Sequence, residues 1–364
     1  TPGHGVDDVH AHSSSESGMT DNDALDAEAQ RLVVDLHTPR PVIFWTDLIL
    51  SGAIGWGAFA VAVAAPPWSA AMFAAMILSA LALYRGLCFT HELTHLRRRA
   101  VPGFELTWNL VFGVPLLLPS FTYIGVHQSH HNLSTYGTKA DPEYLPFASS
   151  RKMLIVFGIQ SSLLIPVLLW IRFLVLAPVA LVVPAFHRWL EKHASSFAMN
   201  PAYVRQVTPV EARQMRRWEL VVLAAWAVAL FGMSRGMFPL RTMAIWYGVL
   251  AIATTVNTLR TLGAHDYDSD GSVGDRQWQL RDSLDTPGGP WTTVWAPVGL
   301  RYHALHHYFP GIPYHNLGEA YRRIVKFAEH RAIYLESTSP SLAHSLRALY
   351  QKAKRRAAAF AAAW

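Results

Sequence analysis

The chain has 364 residues, 51% of them hydrophobic and 15% charged, with a formal net charge of +6. That balance suits a membrane protein better than two or three soluble domains, and no basic groove with interleaved aromatics supports nucleic-acid binding. A single cysteine, Cys88, excludes an intrachain disulfide and a thiolate metal cluster.

Residues 1–30 are poor in large apolar side chains and rich in Ser, Asp, Gly and His, which predicts a disordered polar tail. Met19 is a candidate start, so residues 1–18, with His4, His10 and His12, are set aside as candidate appended sequence. The main domain is expected over 31–330, followed by an amphipathic helical tail over 331–364. Ile43 to Ala65 and Ala70 to Phe89 are apolar runs of about 20 residues, enough to cross the hydrocarbon core. Trp218 to Met233 and Met243 to Val256 form a shorter second pair. Arg97, Arg98 and Arg99 follow the second run, and Arg213, Arg216 and Arg217 precede the third. Such flanks mark the cytoplasmic face and meet anionic headgroups; an acidic docking partner is the lesser reading.

The second run ends in "HELTH", with His91 and His95 at i, i+4 around Glu92. "HQSHH" follows with His127, His130 and His131, and "HALHH" with His303, His306 and His307. H-x-x-H-H spacing gathers three imidazoles on one helical turn. Two such boxes arise together by chance in roughly one chain in a thousand. Between them, Met153 to Pro184 is interrupted by Pro166, Arg172 and Pro178. His265, after the fourth run, must lie on the same side as "HELTH" to share a site, so this segment crosses twice or not at all. Arg172 near its middle favours an interfacial or re-entrant hairpin, because charge at mid-bilayer is costly. "LGEAYRRIVKFAEHRAIYL" and "LAHSLRALYQKAKRRAAAFAAAW" predict amphipathic helices, at the membrane surface or packed on the protein.

H-E-x-x-H is also the ligand pair and general base of a zinc peptidase. A zinc hydrolase needs three protein ligands, which would leave most of the clustered histidines without a role. Haem takes one or two axial ligands facing inward from helices, whereas these clusters sit at the ends of the apolar runs. Imidazole suits iron, zinc, copper and nickel, so ligand type alone leaves the metal open.

The three boxes in this order, with "HQSHHNLSTYGTKADPEYLP" and "WAPVGLRYHALHHYFPGIPYHNLGEAY" around the last two, resemble the membrane fatty-acid desaturase superfamily, bacterial acyl desaturases in particular. The resemblance spans roughly Ile43 to Arg323. It implies an all-α integral membrane protein of about four transmembrane helices in two hairpins plus interfacial helices, with a cytoplasmic helical cap holding the boxes. It further implies two iron ions held by His91, His95, His127, His130, His131, His265, His303, His306 and His307, with dioxygen as co-substrate. Glu92, Asp141, Asn257, Asp266 and His315 are candidates for supporting those ligands. Trp108 and Tyr123 are candidates to line an apolar tunnel, or to anchor the membrane interface.

The implied activity is insertion of a C=C bond into a lipid-, CoA- or carrier-linked fatty-acyl chain. Alternatives on the same scaffold are a fatty-acid or alkane hydroxylase or a carotenoid oxygenase. The string "DTPGG" has Thr286 where a fused cytochrome b5 would carry a haem ligand. A separate ferredoxin, rubredoxin or cytochrome b5 with its reductase is therefore implied, in a bacterial inner membrane with the boxes facing the cytoplasm.

Overall fold

The computed structural model of the chain describes residues 21–97, 99–327 and 334–362. Residues 1–18, Arg98 and the boundary expected at 330/331 lie outside the described residues. The described chain is all helical, with only isolated β-bridges. Five of its helices are long and apolar enough to cross a membrane.

The first helix, α1 (Asp21–Val33), begins inside the segment expected to be disordered. Ala29 and Val33 are completely buried against the C-terminal half, among Tyr302, Leu317 and Ile324. This packing holds a short polar helix that propensity alone would not. The first apolar pair is α2 (Pro41–Ala64) and α3 (Ala70–His95), α2 opening on a proline at its first position and α3 capped by Ser69, whose Oγ accepts from Met72 N. Their close approach depends on small residues: Ser79 Oγ donates to Gly55 O at 2.9 Å, and a Cβ on Gly55 would lie 2.5 Å from Leu83.

Past α3 the chain turns through α4 (Phe104–Trp108) and a π-helical turn at Asn109–Gly113. There Trp108 Nε1 donates to Gly86 O at 2.7 Å, and Phe112 fills the place of a side chain on Gly86. A Cβ at Gly86 would fall 1.9 Å from the Phe112 ring. Gly86→Ala is therefore expected to lower stability by about 1–3 kcal/mol through overpacking, read as a lower melting temperature of the detergent-solubilised protein. An unchanged melting temperature would mean that Phe112 has somewhere else to go.

Helix α5 (His127–His131) carries the second box. Helix α6 (Arg151–Val182) is one continuous element of 32 residues, about 48 Å at the α-helical rise. The hairpin expected within 153–184 is thus corrected. Pro166 and Pro178 each follow a π-helical turn, Gln160–Leu164 and Ile171–Leu176, whose wider backbone accommodates the missing donor and the ring. The reversal comes instead at Val183, where α7 (Pro184–His193) folds back. Before α6, Ala148 N donates to Tyr267 O; after α7, Phe197 N donates to Thr122 O and Met199 N to Pro142 O. The chain thus leaves and re-enters at the end of the bundle that carries the histidines, as the parity of the spans requires. Arg172 is accommodated by a buried ion pair with Glu219 and by donating to Ala194 O at 2.5 Å.

The second pair is α8 (Pro209–Ser234), opened by a capping box between Thr208 and Glu211, and α9 (Arg241–Leu262). Helices α10 (Arg276–Asp282), α11 (His303–Tyr308), α12 (Tyr314–Lys326) and α13 (Leu342–Ala362) follow, with a single helical turn at Thr292–Trp295 before α11. α12 buries Leu317, Ala320 and Ile324 in the protein, and α13 buries Leu349 in a core shared with Leu262 and Tyr267. Among the described residues both are packing helices of the protein.

Candidate metal centre

The histidine boxes converge at one end of the bundle. His91 and His95 occupy the last two turns of α3, three histidines lie on α5, three on α11, and His265 follows the end of α9. Their ring nitrogens form two groups, each with ligand atoms within 4.8 Å of one another and each able to hold a metal ion. One is His91, His95, His127, His131 and His306; the other is His130, His265, His303 and His307. Each H-x-x-H-H box is therefore split. On α5 the i, i+4 pair serves the larger group and His130 the smaller, while on α11 His303 and His307 serve the smaller and His306 the larger. The reason is the helix step of about 100° per residue, which turns adjacent histidines to different sides.

The nitrogens face one another at separations that suit two ligands of one metal ion. Nε2 to Nε2 is 2.9 Å for His127 and His131, 2.8 Å for His265 and His303, 3.1 Å for His95 and His306, and 3.1 Å for His303 and His307. Two nitrogens each about 2.1 Å from one metal and at right angles to each other are about 3 Å apart. His127 donates from Nδ1 to Glu143 Oε1 at 2.9 Å, so its Nε2 turns a lone pair toward His131. Both ring nitrogens of His91 are buried without a hydrogen-bond partner. Burial, reinforced by neighbouring rings, pushes His127, His131, His265, His303, His306 and His307 well below the usual histidine range. Neutral imidazoles are what metal ligation requires, so the residues fit the group.

Carboxylates orient the rings from behind. Burial alone would lower His130, but Asp141 outweighs it: the carboxylate, fully buried, receives His130 Nδ1 at 2.9 Å and holds that imidazole above its usual range. Asp141 was legible from its place after the second box; three other partners were not. Glu143, pushed up to about 7 by burial, receives both His127 and, at 2.8 Å, Tyr123 Oη. Asp282, pushed up to about 6 by burial, receives Tyr136 Oη at 2.8 Å, and that hydroxyl in turn accepts from His265 Nδ1 at 2.9 Å. Gln279 lies 3.2 Å from His307 Nδ1.

The remaining candidates move elsewhere. Asp266 points out to Lys352 at 2.8 Å, because His265 and Asp266 lie in extended backbone paired with Ser283 and successive side chains there face opposite ways. His315 accepts from Arg40 N at 3.0 Å and packs on Phe44, outside both groups. Asn257 accepts from Arg260 Nη2 at 3.1 Å and bonds to none of the nine histidines. Glu92 accepts from Tyr314 N at 3.0 Å and sits 3.8 Å from His91 Nδ1, so it anchors the start of α12 and does not stand free as a general base.

A cavity of about 160 Å³ abuts the larger group, with His91, Glu143 and Tyr123 in its wall. Its other sides are Trp108, Phe157 and Ile165, then Arg260 with its neighbours on α9. Trp108 and Tyr123 thus line an internal space, and the anchoring reading falls for Trp108, which is 1% exposed.

The family described as fatty acid desaturase matches residues 66–338 of the chain. The chain is also 37% identical over 337 residues to a ceramide hydroxylase of Caulobacter vibrioides (strain NA1000 / CB15N), covering 92% of this chain and 95% of that relative.

Proposed function

The chain belongs to the fatty acid desaturase family, and from that premise we propose that it is a dioxygen-dependent membrane hydroxylase of a ceramide-class lipid. The similarity to a ceramide hydroxylase across 92% of this chain and 95% of that relative carries this reading, because it extends far beyond the histidine boxes. The nine histidines of the two groups are the proposed ligands of two irons. Iron held there would supply the oxidising power, from dioxygen and two external electrons, to break an unactivated C–H bond. The chain's own part is preorganisation. Asp141, Glu143 and the Tyr136–Asp282 pair fix ring orientation, and the cavity holds the substrate carbon against the larger group, away from bulk water. Hydroxylation consumes a C–H bond, dioxygen, two electrons and two protons, and yields an alcohol and water.

Desaturation of an acyl chain is the second reading, favoured by the family's description and the sequence around the second and third boxes. The electrons come from a separate carrier such as a ferredoxin, rubredoxin or cytochrome b5 with its reductase. The setting is a bacterial inner membrane, with the histidine end facing the cytoplasm. Mass spectrometry decides between the two readings. Purified protein in lipid nanodiscs, with iron, a ferredoxin–reductase pair and a saturated ceramide, is expected to give a product heavier by one oxygen and labelled by isotopic dioxygen. A product lighter by two hydrogens would transfer the assignment to desaturation, and an unlabelled ceramide pool with turnover on acyl-CoA would remove the ceramide reading.

A further inference from the structure

The cavity beside the larger histidine group is not uniformly apolar. Arg260, in the last turn of α9, lines it together with Asn257 one turn earlier, and the hydroxyls of Ser161 and Thr261 belong to the same wall. Arg260 makes no ion pair among the described residues. Its Nη2 donates to Asn257 Oδ1 at 3.1 Å, and its Nε is enclosed without a hydrogen-bond partner. The two buried arginines among the described residues each meet a carboxylate, although Arg172 Nη1 is also without a partner. Arg172 pairs with Glu219, and Arg205 donates to Phe121 O, Ile124 O and Glu211. A guanidinium held inside the protein by the Asn257 amide oxygen and the Tyr84 hydroxyl, with no carboxylate to pair with, is costly, and a saturated acyl chain offers it no further acceptor.

We propose that Arg260, positioned by Asn257, is a specificity-determining residue that receives a polar acceptor of the substrate lipid, an amide carbonyl or a hydroxyl near the carbon to be oxidised. This rests on the lipid-hydroxylase reading and sharpens it: the substrate carries its headgroup into the cavity, and the reacting carbon lies a few bonds from that headgroup. His91 and Arg260 face the same cavity, so a group held by Arg260 places neighbouring carbons beside the larger histidine group. Five donors in a planar fork suit a headgroup with two adjacent acceptors, such as an amide and a hydroxyl, better than a single ether oxygen. A helix-terminal arginine also complements the helix dipole, so a purely structural role is the competing explanation.

The test uses full-length protein in detergent and two fluorescent probes sharing one tail: a short-chain ceramide, and the hydrocarbon lacking amide and hydroxyls. Arg260→Met keeps the length and removes the donors. It is expected to weaken ceramide binding at least about tenfold, the range of a hydrogen bond to a charged group. Hydrocarbon binding and iron content should stay as in the wild type, and Arg260→Lys should recover part of the loss. Equal ceramide binding by wild type and Arg260→Met would overturn the proposal. Parallel loss of both probes and of iron would also overturn it, by assigning Arg260 to the fold. The activity reading is separable: Arg260-dependent ceramide binding without an oxygenated product leaves this inference standing and removes hydroxylation. An oxygenated product formed at the wild-type rate by Arg260→Met does the reverse.

Discussion

Alanine at His130 is expected to abolish turnover and to lower bound iron from two per chain towards one. His130 belongs to the group with four histidines, and its ring lies 4.9 Å from that of His307 and 5.2 Å from that of His265. Losing it leaves three imidazoles, and Asp141 is left buried without its partner. Removing an orienting residue behind a ligand costs about 10–100-fold in metal affinity, and removing the ligand should exceed that. His131→Ala offers the contrast, because its group still has four histidines. It should retain more metal than His130→Ala while losing activity. Elemental analysis of purified variants reads both. Two irons per chain in His130→Ala, with activity retained, would remove the smaller group from the proposed centre.

Asp141→Asn is the second large effect, and it acts without touching a ligand. The two carboxylate oxygens receive His130 Nδ1, Gly137 N at 2.8 Å and Glu143 N at 2.8 Å. An amide can keep one oxygen in place, but its NH2 then confronts one of these donors. A buried donor left unsatisfied costs about 1–3 kcal/mol. Metal affinity should fall by about 10–100-fold, as for other partners behind a ligand, and the melting temperature should fall as well. Chelator competition and thermal unfolding measure the two effects separately. Wild-type affinity in Asp141→Asn would show that His130 is oriented by its neighbours on α5 rather than by the carboxylate.

These two residues also divide what is local from what is not. His130 and Asp141 are eleven positions apart, near enough for the second box and the acidic residue after it to be read together. Of the partners missed in the sequence, Glu143 is close, 16 positions from His127, whereas Tyr136 reaches His265 across 129 positions and Asp282 across 146. No periodicity of helix or strand encodes such a pair. Asp266 was the natural local choice beside His265, and extended backbone turned it outward to Lys352.

The family resemblance supplied His265 as a ninth ligand; the sequence by itself determined the four principal apolar helices and the spacing of the three boxes. The latter two rest on run length and on spacing within a helix, properties set by the backbone's own geometry. Only the tertiary structure decided how the boxes divide into two groups, that α6 runs unbroken through two prolines to a reversal at Val183, and that Arg260 and Asn257 meet His91 across one cavity. Those outcomes depend on which faces of distant helices pack together. Hydrophobic burial drives that packing without direction, and the fit of particular side chains such as Phe112 on Gly86 sets its register.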